Sequence, residues 1–252
     1  MTDLFAAADE NVRRELAAWQ EKMLRPPSFT DRVSRKMQQK MNSFIPEKIH
    51  VAITATMKQM IRGVLFGAEF VSRKQVTAVS LAEKEAKVLE RINFYRTAAA
   101  AEGGITGAGG LLLGLADFPI FLSLKLKLLF EISALYGFAS DDYRERIYLL
   151  YIFQLAFSSA EKRREIYLQM ANWETHKQNL PADIHQFDWR SFQQEYRDYI
   201  DLAKMAQLIP VIGAPVGVVA NYKLTTKLGV TAINAYRMRW FNAAADTGVS
   251  EI

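Results

Sequence analysis

An all-α fold follows from three features of the sequence. Apolar residues recur at helical spacing over most of the chain, no convincing alternating strand pattern occurs, and the breaks fall at proline, glycine and capping residues. The 252 residues, 50% of them hydrophobic, are enough for one sizeable core. No Ser/Gly/Pro-rich linker divides them. The expected organisation is therefore an amphipathic helical arm at 1–43, a single bundle of about eight or nine helices at 44–245, and a tail at 246–252.

Val12, Leu16, Trp19 and Met23 define one face of a first helix, which Pro26 and Pro27 end. Phe29, Val33, Met37, Met41 and Phe44 define a second, with Arg32, Arg35, Lys36 and Lys40 around the stripe. Residues 25–48 hold six Lys/Arg against two acids. Pro46 suits the first turn of a third helix through "EKIHVAITATMKQMIRGVLFGAEFV". Ser80 and Glu83 have capping-box spacing and start a charged helix to about Ala101. Asp117, followed by Phe118 and Pro119, reads as an N-cap with an early-turn proline, and that helix runs to Gly137, a natural C′ residue. Ser140 or Asp141 caps the next, and further helices are expected at about 160–178, 188–207 and 216–243.

Two segments depart from the pattern of a soluble amphipathic helix. Six of the 13 glycines fall between Gly103 and Gly114, in "EGGITGAGGLLLGLAD". The second segment, 205–222, is 18 uncharged residues with two prolines and two glycines. Each has a GxxxG followed by a small polar residue: Gly110, Gly114 and Asp117; Gly213, Gly217 and Asn221. Neither reads as a full span, which needs about 20 apolar residues. The uncharged run 103–116 would be about 21 Å long as one helix, and Pro210 and Pro215 interrupt the other. Such runs become buried core helices or interfacial hairpins. Gly103/Gly107, Gly110/Gly114 and Gly213/Gly217 permit close helix approach in either setting.

Within the helix after Asp117, Ser123, Lys127 and Glu131 form a polar stripe, with Lys127 and Glu131 placed to pair. Lys125 lies instead among Phe121, Leu122, Leu128 and Leu129, so it must snorkel, pair or meet a phosphate.

The chemistry is defined mainly by exclusion. No cysteine is present, so disulfides, thiolate nucleophiles and Cys-ligated zinc are excluded. The net charge of +5 suits an anionic partner without selecting one. The glycine runs lack the Lys-Ser/Thr of a phosphate loop, and Leu112 occupies the third position of a dinucleotide pattern. His176, Asp183, His185 and Asp188 cluster in sequence without metal-ligand spacing, and G-x-S-x-G is absent. No nucleic-acid signature accompanies Tyr236, Arg237, Arg239 and Trp240, a residue set also typical of membrane interfaces. No metal, cofactor or nucleic-acid partner is expected, and no catalytic residue is identifiable. The start of the sequence lacks a basic-then-apolar leader pattern, which favours the cytoplasm.

"IPEKIHVAITATMKQMIRGVLFGAEF", "GLADFPIFLSLKLKLLFEISALYGF" and "LIPVIGAPVGVVANYKLTTKLGVTAINAYRMRW" together resemble the EcsC protein family over about 44–240. The family is named after a bacterial protein encoded beside an ABC transporter. The resemblance implies a role near transport or envelope processes and supplies no catalytic residues.

The expected function is binding at the cytoplasmic face of a membrane, peripheral or monotopic. Its partners would be anionic lipid or a membrane protein such as an ABC transporter. Arg32, Arg35, Lys36 and Lys40 are the surface contacts, and Asp117, Lys125, Tyr136, Asn221, Tyr236 and Arg237 the lipid or ligand candidates. A soluble protein-binding scaffold and a lipid-modifying hydrolase or transferase are the alternatives.

Overall fold

The computed structural model of the protein describes residues 2–26, 47–66, 80–107, 110–138, 141–188, 190–192 and 214–246. They form α1 (Thr2–Leu24), α2 (Glu47–Phe66), α3 (Leu81–Gly107), α4 (Gly110–Tyr136), α5 (Tyr143–Phe157), α6 (Ala160–Ala171), α7 (Trp173–Gln178), a 3₁₀ turn (Ile184–Gln186) and α8 (Ala214–Asp246). There is no strand among the described residues, and the all-α expectation holds. The helix expected around 29–44, and most of the one at 188–207, lie outside the described residues.

Three long helices set the frame. Arg91 and Tyr95 of α3 meet Glu131 of α4, while Lys84 donates to the Leu135 carbonyl, so α3 and α4 are antiparallel. Arg96 stacks over Tyr222 and Glu85 pairs with Arg237, so α3 and α8 are antiparallel too. It follows that α4 and α8 begin at the same end of the bundle. The seam between α3 and α8 is tight. Val88, Ile92, Tyr95 and Ala99 bury one stripe of α3. A Cβ at Gly229 would lie 2.6 Å from Ile92 Cγ1 and Cδ1.

Helix α5 is buried on all sides from Ile147 to Phe157 and forms the centre of the core. α2 and α4 flank it, and Arg146 donates to the last-turn carbonyl of Leu65 at 2.9 Å. α1 packs into the same core through Leu16 and Met23, and Trp19 meets Tyr167 of α6 edge-on at 5.9 Å.

The helix ends follow local chemistry, with three departures from expectation. Ser80 Oγ accepts from the Glu83 amide, as the capping spacing predicts. α4 ends in a Schellman turn: Gly137 has φ +93°, its N–H donates to Ala134, and the Phe138 N–H donates to Ser133. The start of α4 differs. The helix begins at Gly110, so Asp117 lies inside it and not at its cap. Proline's φ is already helical, so Pro119 costs α4 mainly its missing N–H and crowding at the preceding turn. Asp142, not Ser140 or Asp141, caps α5, because its backbone is extended there and its carboxylate accepts from the Arg144 amide at 2.9 Å. The helix expected at 160–178 breaks at Asn172, whose amide side chain bonds the Leu168 carbonyl at 3.3 Å.

Among the described residues no helix is long and apolar enough to cross a membrane. The uncharged run 103–116 is not one rod. Residues 103–107 close α3 and 110–116 open α4, at the end of the bundle where α8 also begins.

Candidate functional site

The candidate residues fall at two levels of the bundle. At the upper level, near the glycine-rich end, Lys125 of α4 faces α8. Its side chain is 1% exposed, so it does not snorkel, and its Nζ donates to Asn221 Oδ1 at 3.4 Å. Leu122, Leu128 and Leu129, its helical neighbours, are all buried. Asn221 is fully buried and Thr225, one turn further along α8, is 1% exposed. Asn221 Nδ2 and Thr225 Oγ1 have no hydrogen-bond partner among the described residues. A buried polar group left unsatisfied costs about 1–3 kcal/mol, so two side by side on one helix face are conspicuous. On α4 and α8 alike the described glycines of the two glycine segments, Gly110 with Gly114 and Gly217, precede this level along the helix. Asp117 stands eight residues, about 12 Å, nearer the start of α4.

The lower level lies about 16 Å away along α4. Tyr136 stacks on Tyr236 at 5.1 Å between ring centres, and Phe138 stacks on the same ring at 5.3 Å. Tyr136 also donates to Glu85 at 3.3 Å. Burial first, then the Glu85 charge, pushes its phenol well above the ordinary range. Arg237 makes a two-pronged pair with Glu85, at 2.6 and 2.7 Å, and a third bond to Glu15 at 3.0 Å. Burial works against its charge, yet these carboxylates hold its pKa above the ordinary value.

Arg239, two residues on, does the same on the other side of α8. It grips Glu145 of α5 and Glu174 of α7, and its guanidinium lies 3.8 Å from the Phe138 ring centre. Lys177 adds a second cation on Glu145 at 2.6 Å. These pairs tie α1, α3, α5 and α7 to α8.

The expected Lys127–Glu131 pair gives way to an interhelical one: Glu131 takes Arg91 and Tyr95 instead. Burial first, then Glu131, pushes the Tyr95 phenol up to about 12. The sequence cluster around His176 and His185 is spent on structure. Asp183 caps the 3₁₀ turn, Asp188 accepts from Ser191 at 2.7 and 3.1 Å, and His176 packs on Trp173 and Tyr151. Burial lowers the His176 pKa. No group of three His, Cys, Asp or Glu among the described residues could hold a metal.

Arg32, Arg35, Lys36, Lys40 and Gly213 lie outside the described residues. Gly103, Gly107, Gly110, Gly114 and Gly217 sit in the helix ends at the glycine-rich end. Sequence reasoning missed Thr225, although it lies at i+4 from Asn221 and so on the same face.

Fold and site together define an all-helical bundle: charge-free, glycine-rich helix ends, a buried polar cluster beneath them, and ion-paired helix ties below that. The chain belongs to the EcsC protein family, whose model matches residues 10–241. The match starts well ahead of Phe44 and takes in most of α1. Protein EcsC of Bacillus subtilis (strain 168) is 45% identical over 229 residues, which cover 90% of this chain and 94% of that one. The uncharacterized protein YdbA of the same organism is 25% identical over 248 residues, covering 90% of each. No solved structure matches the chain.

Proposed function

We propose that the protein binds at the cytoplasmic face of a membrane, engaging lipid or a membrane protein, an ABC transporter among them, and does so through the glycine-rich end of its bundle. One observation carries this reading: the topology gathers 103–107, 110–116 and the start of α8 at one end, without a charged residue in them. The charge-free lengths of α3 and α4 are about 7 and 10 Å. That matches the roughly 5–10 Å to which interfacial elements sink into a leaflet, and is far short of a 30 Å span. Glu102 and Asp117 then mark the headgroup level. Ile120 and Val219, each 50% exposed, and Tyr222 at 39% add apolar surface just below. Arg32, Arg35, Lys36 and Lys40 would add about 1 kcal/mol each against an anionic leaflet.

The test is co-sedimentation of the full chain with phosphatidylcholine vesicles, with and without phosphatidylglycerol, at low and high salt. Wild type should pellet with vesicles, and Leu112→Asp with Leu113→Asp should weaken binding at least about tenfold, or 1.4 kcal/mol, with helical content unchanged. Salt should weaken only the part that needs anionic lipid. A folded wild type that ignores every vesicle refutes the membrane reading and leaves a protein-binding scaffold. Undiminished binding by the double variant refutes the role of this end.

A further inference from the structure

We propose that the open side of the α3–α8 pair is a docking surface for an anionic lipid leaflet. The bundle tips onto this side, so contact runs from the glycine-rich end along both helices. The proposal rests on the membrane reading above and adds to it a surface, an orientation and a lipid charge.

The contacts of α3 and α8 define two sides of their seam. Successive residues of a helix are about 100° apart. Measured from Ile92, which meets Gly229, Tyr95 and Arg91 lie about 60° and 100° round α3 in one sense, and both reach Glu131 of α4. Asn221 lies about 80° round α8 from Gly229 on that same side, and it meets Lys125 of α4. Arg96 and Leu89 lie about 40° and 60° round α3 in the other sense; Tyr222, Val219 and Val230 lie about 20°, 80° and 100° round α8 in its matching sense. Helix α4 therefore covers one side of the seam and leaves the other open. Helix α1 crosses that open side only at its lower end, where Glu15 meets Arg237 and Arg13 lies 4.0 Å from the Phe241 ring centre. Above that crossing, Leu89 and Val230 are 57% and 45% exposed, with Val219 and Tyr222 open beside them.

Charge selects the occupant. Arg96 stacks over Tyr222 at 4.8 Å and bonds Asn93 within its own helix, and Lys223 is exposed beside them; neither meets a carboxylate among the described residues. Helix α8 has no acid before Asp246. On α3, Glu83 and Glu90 fall about 180° and 160° from Ile92, on the far side of the helix. The open side is thus basic and apolar, with no acid from either helix. A second copy joined through this patch would set like charges together. The chain's own segment 25–48, with six Lys/Arg against two acids, has the same sign. An anionic leaflet has the opposite sign, and aliphatic side chains mixed with tyrosine, arginine and lysine are the composition of elements that lie in its interface.

The experiment uses the full chain and phosphatidylcholine vesicles with and without phosphatidylglycerol. Because the chain has no cysteine, Leu89→Cys, Val230→Cys and Phe94→Cys each carry a single environment-sensitive label. Phe94 is the control: it is 55% exposed and lies about 140° round α3 from Leu89. On anionic vesicles the labels at 89 and 230 should shift their emission to the blue and be quenched by spin-labelled lipid, and the label at 94 should do neither. Arg96→Gln with Lys223→Gln should weaken binding to anionic vesicles at least about tenfold, with binding to neutral vesicles and helical content unchanged. Lys223→Glu, at an exposed position, repeats the charge test without touching Arg96.

Silent labels at 89 and 230 on vesicles that wild type binds overturn this surface and spare the membrane reading. Shifted labels that survive Leu112→Asp with Leu113→Asp support the surface and sink the role of the glycine-rich end. An equal response at 94, or binding to anionic vesicles that ignores both charge tests, overturns the proposal. So does a shift at 230 that depends on protein concentration without vesicles, which would mark a contact between two copies. A shift with native bacterial membranes but not with lipid vesicles assigns the surface to a membrane protein and overturns the leaflet. A folded wild type that binds no vesicle overturns both readings.

Discussion

Gly229 and Gly137 are both glycines inside the frame, and they are held to glycine for different reasons. Gly137 needs a positive φ to turn the chain out of α4, a conformation that costs other residues roughly 1–2 kcal/mol. Gly229 is ordinary helix, and its constraint is space. A methyl there would sit 2.6 Å from two carbons of Ile92, one of which is not a flexible terminus. Gly229→Ala should therefore destabilise the protein by about 1–3 kcal/mol through overpacking, despite alanine's better helix propensity. Ile92→Val removes Cδ1 and should recover part of that loss in the double variant, read as a favourable coupling in urea unfolding. The two sites differ in how visible they were. Gly137 ends a long apolar helical run, where glycine is a natural C′ residue, a local signal. Gly229 looks like any helical glycine until α3 is laid against it.

At the scale of single elements, the start of α5 shows what electrostatics adds to a cap. The Asp142 carboxyl is pushed up by burial, but the Arg144 amide, the Lys177 ammonium and the Arg144 guanidinium outweigh this and hold it below the ordinary range. A lowered folded-state pKa adds stability above the unfolded value, near 4, that is lost as pH falls through the folded one. Asp142→Asn keeps a good capping side chain, so at neutral pH it should cost no more than about 1 kcal/mol. The gap between variant and wild type should close as the pH drops below about 4, measured as urea midpoints. A gap that persisted in acid would show that charge is not the reason.

Helix α4 shows how far element reading goes. Its length past Phe118 and its C-terminal turn followed from spacing and a glycine. Its true start did not, because Asp117 and Pro119 imitate a cap whose backbone the chain does not adopt. Lys125 was visible as a misfit on an apolar face. Its partner was not, since Asn221 lies 96 residues away and periodicity names a face, never the helix that covers it.

For the whole molecule the decisive ties are charged pairs clustered on α8. Arg237 and Arg239 point to opposite sides of that helix, one holding α1 and α3 and the other α5 and α7. Their sequence neighbourhood, "YRMRW", suggested an interfacial patch equally well, because carboxylate partners up to 222 residues away leave no local mark. Removing one partner of a buried pair costs about 3–5 kcal/mol, mostly from the charge left behind. Arg239→Met should approach the lower end of that range, since Lys177 remains on Glu145. Adding Glu145→Leu should return part of the lost stability. A double variant that is weaker than the single by the full cost of a second lesion would contradict this.

The same clustering fixes when the chain becomes a protein. The contacts of Arg237 reach back 152 and 222 residues, to helices synthesised long before α8. The stripe of α3 that α8 covers, Val88 to Ala99, waits through well over a hundred residues of further synthesis. At about 5–20 residues per second that is on the order of ten seconds of exposed apolar surface on a nascent chain. Closure over such long loops is intrinsically slow. The helix that holds the bundle together therefore also sets its folding clock, and a ribosome-bound chain without it is a natural client for a chaperone.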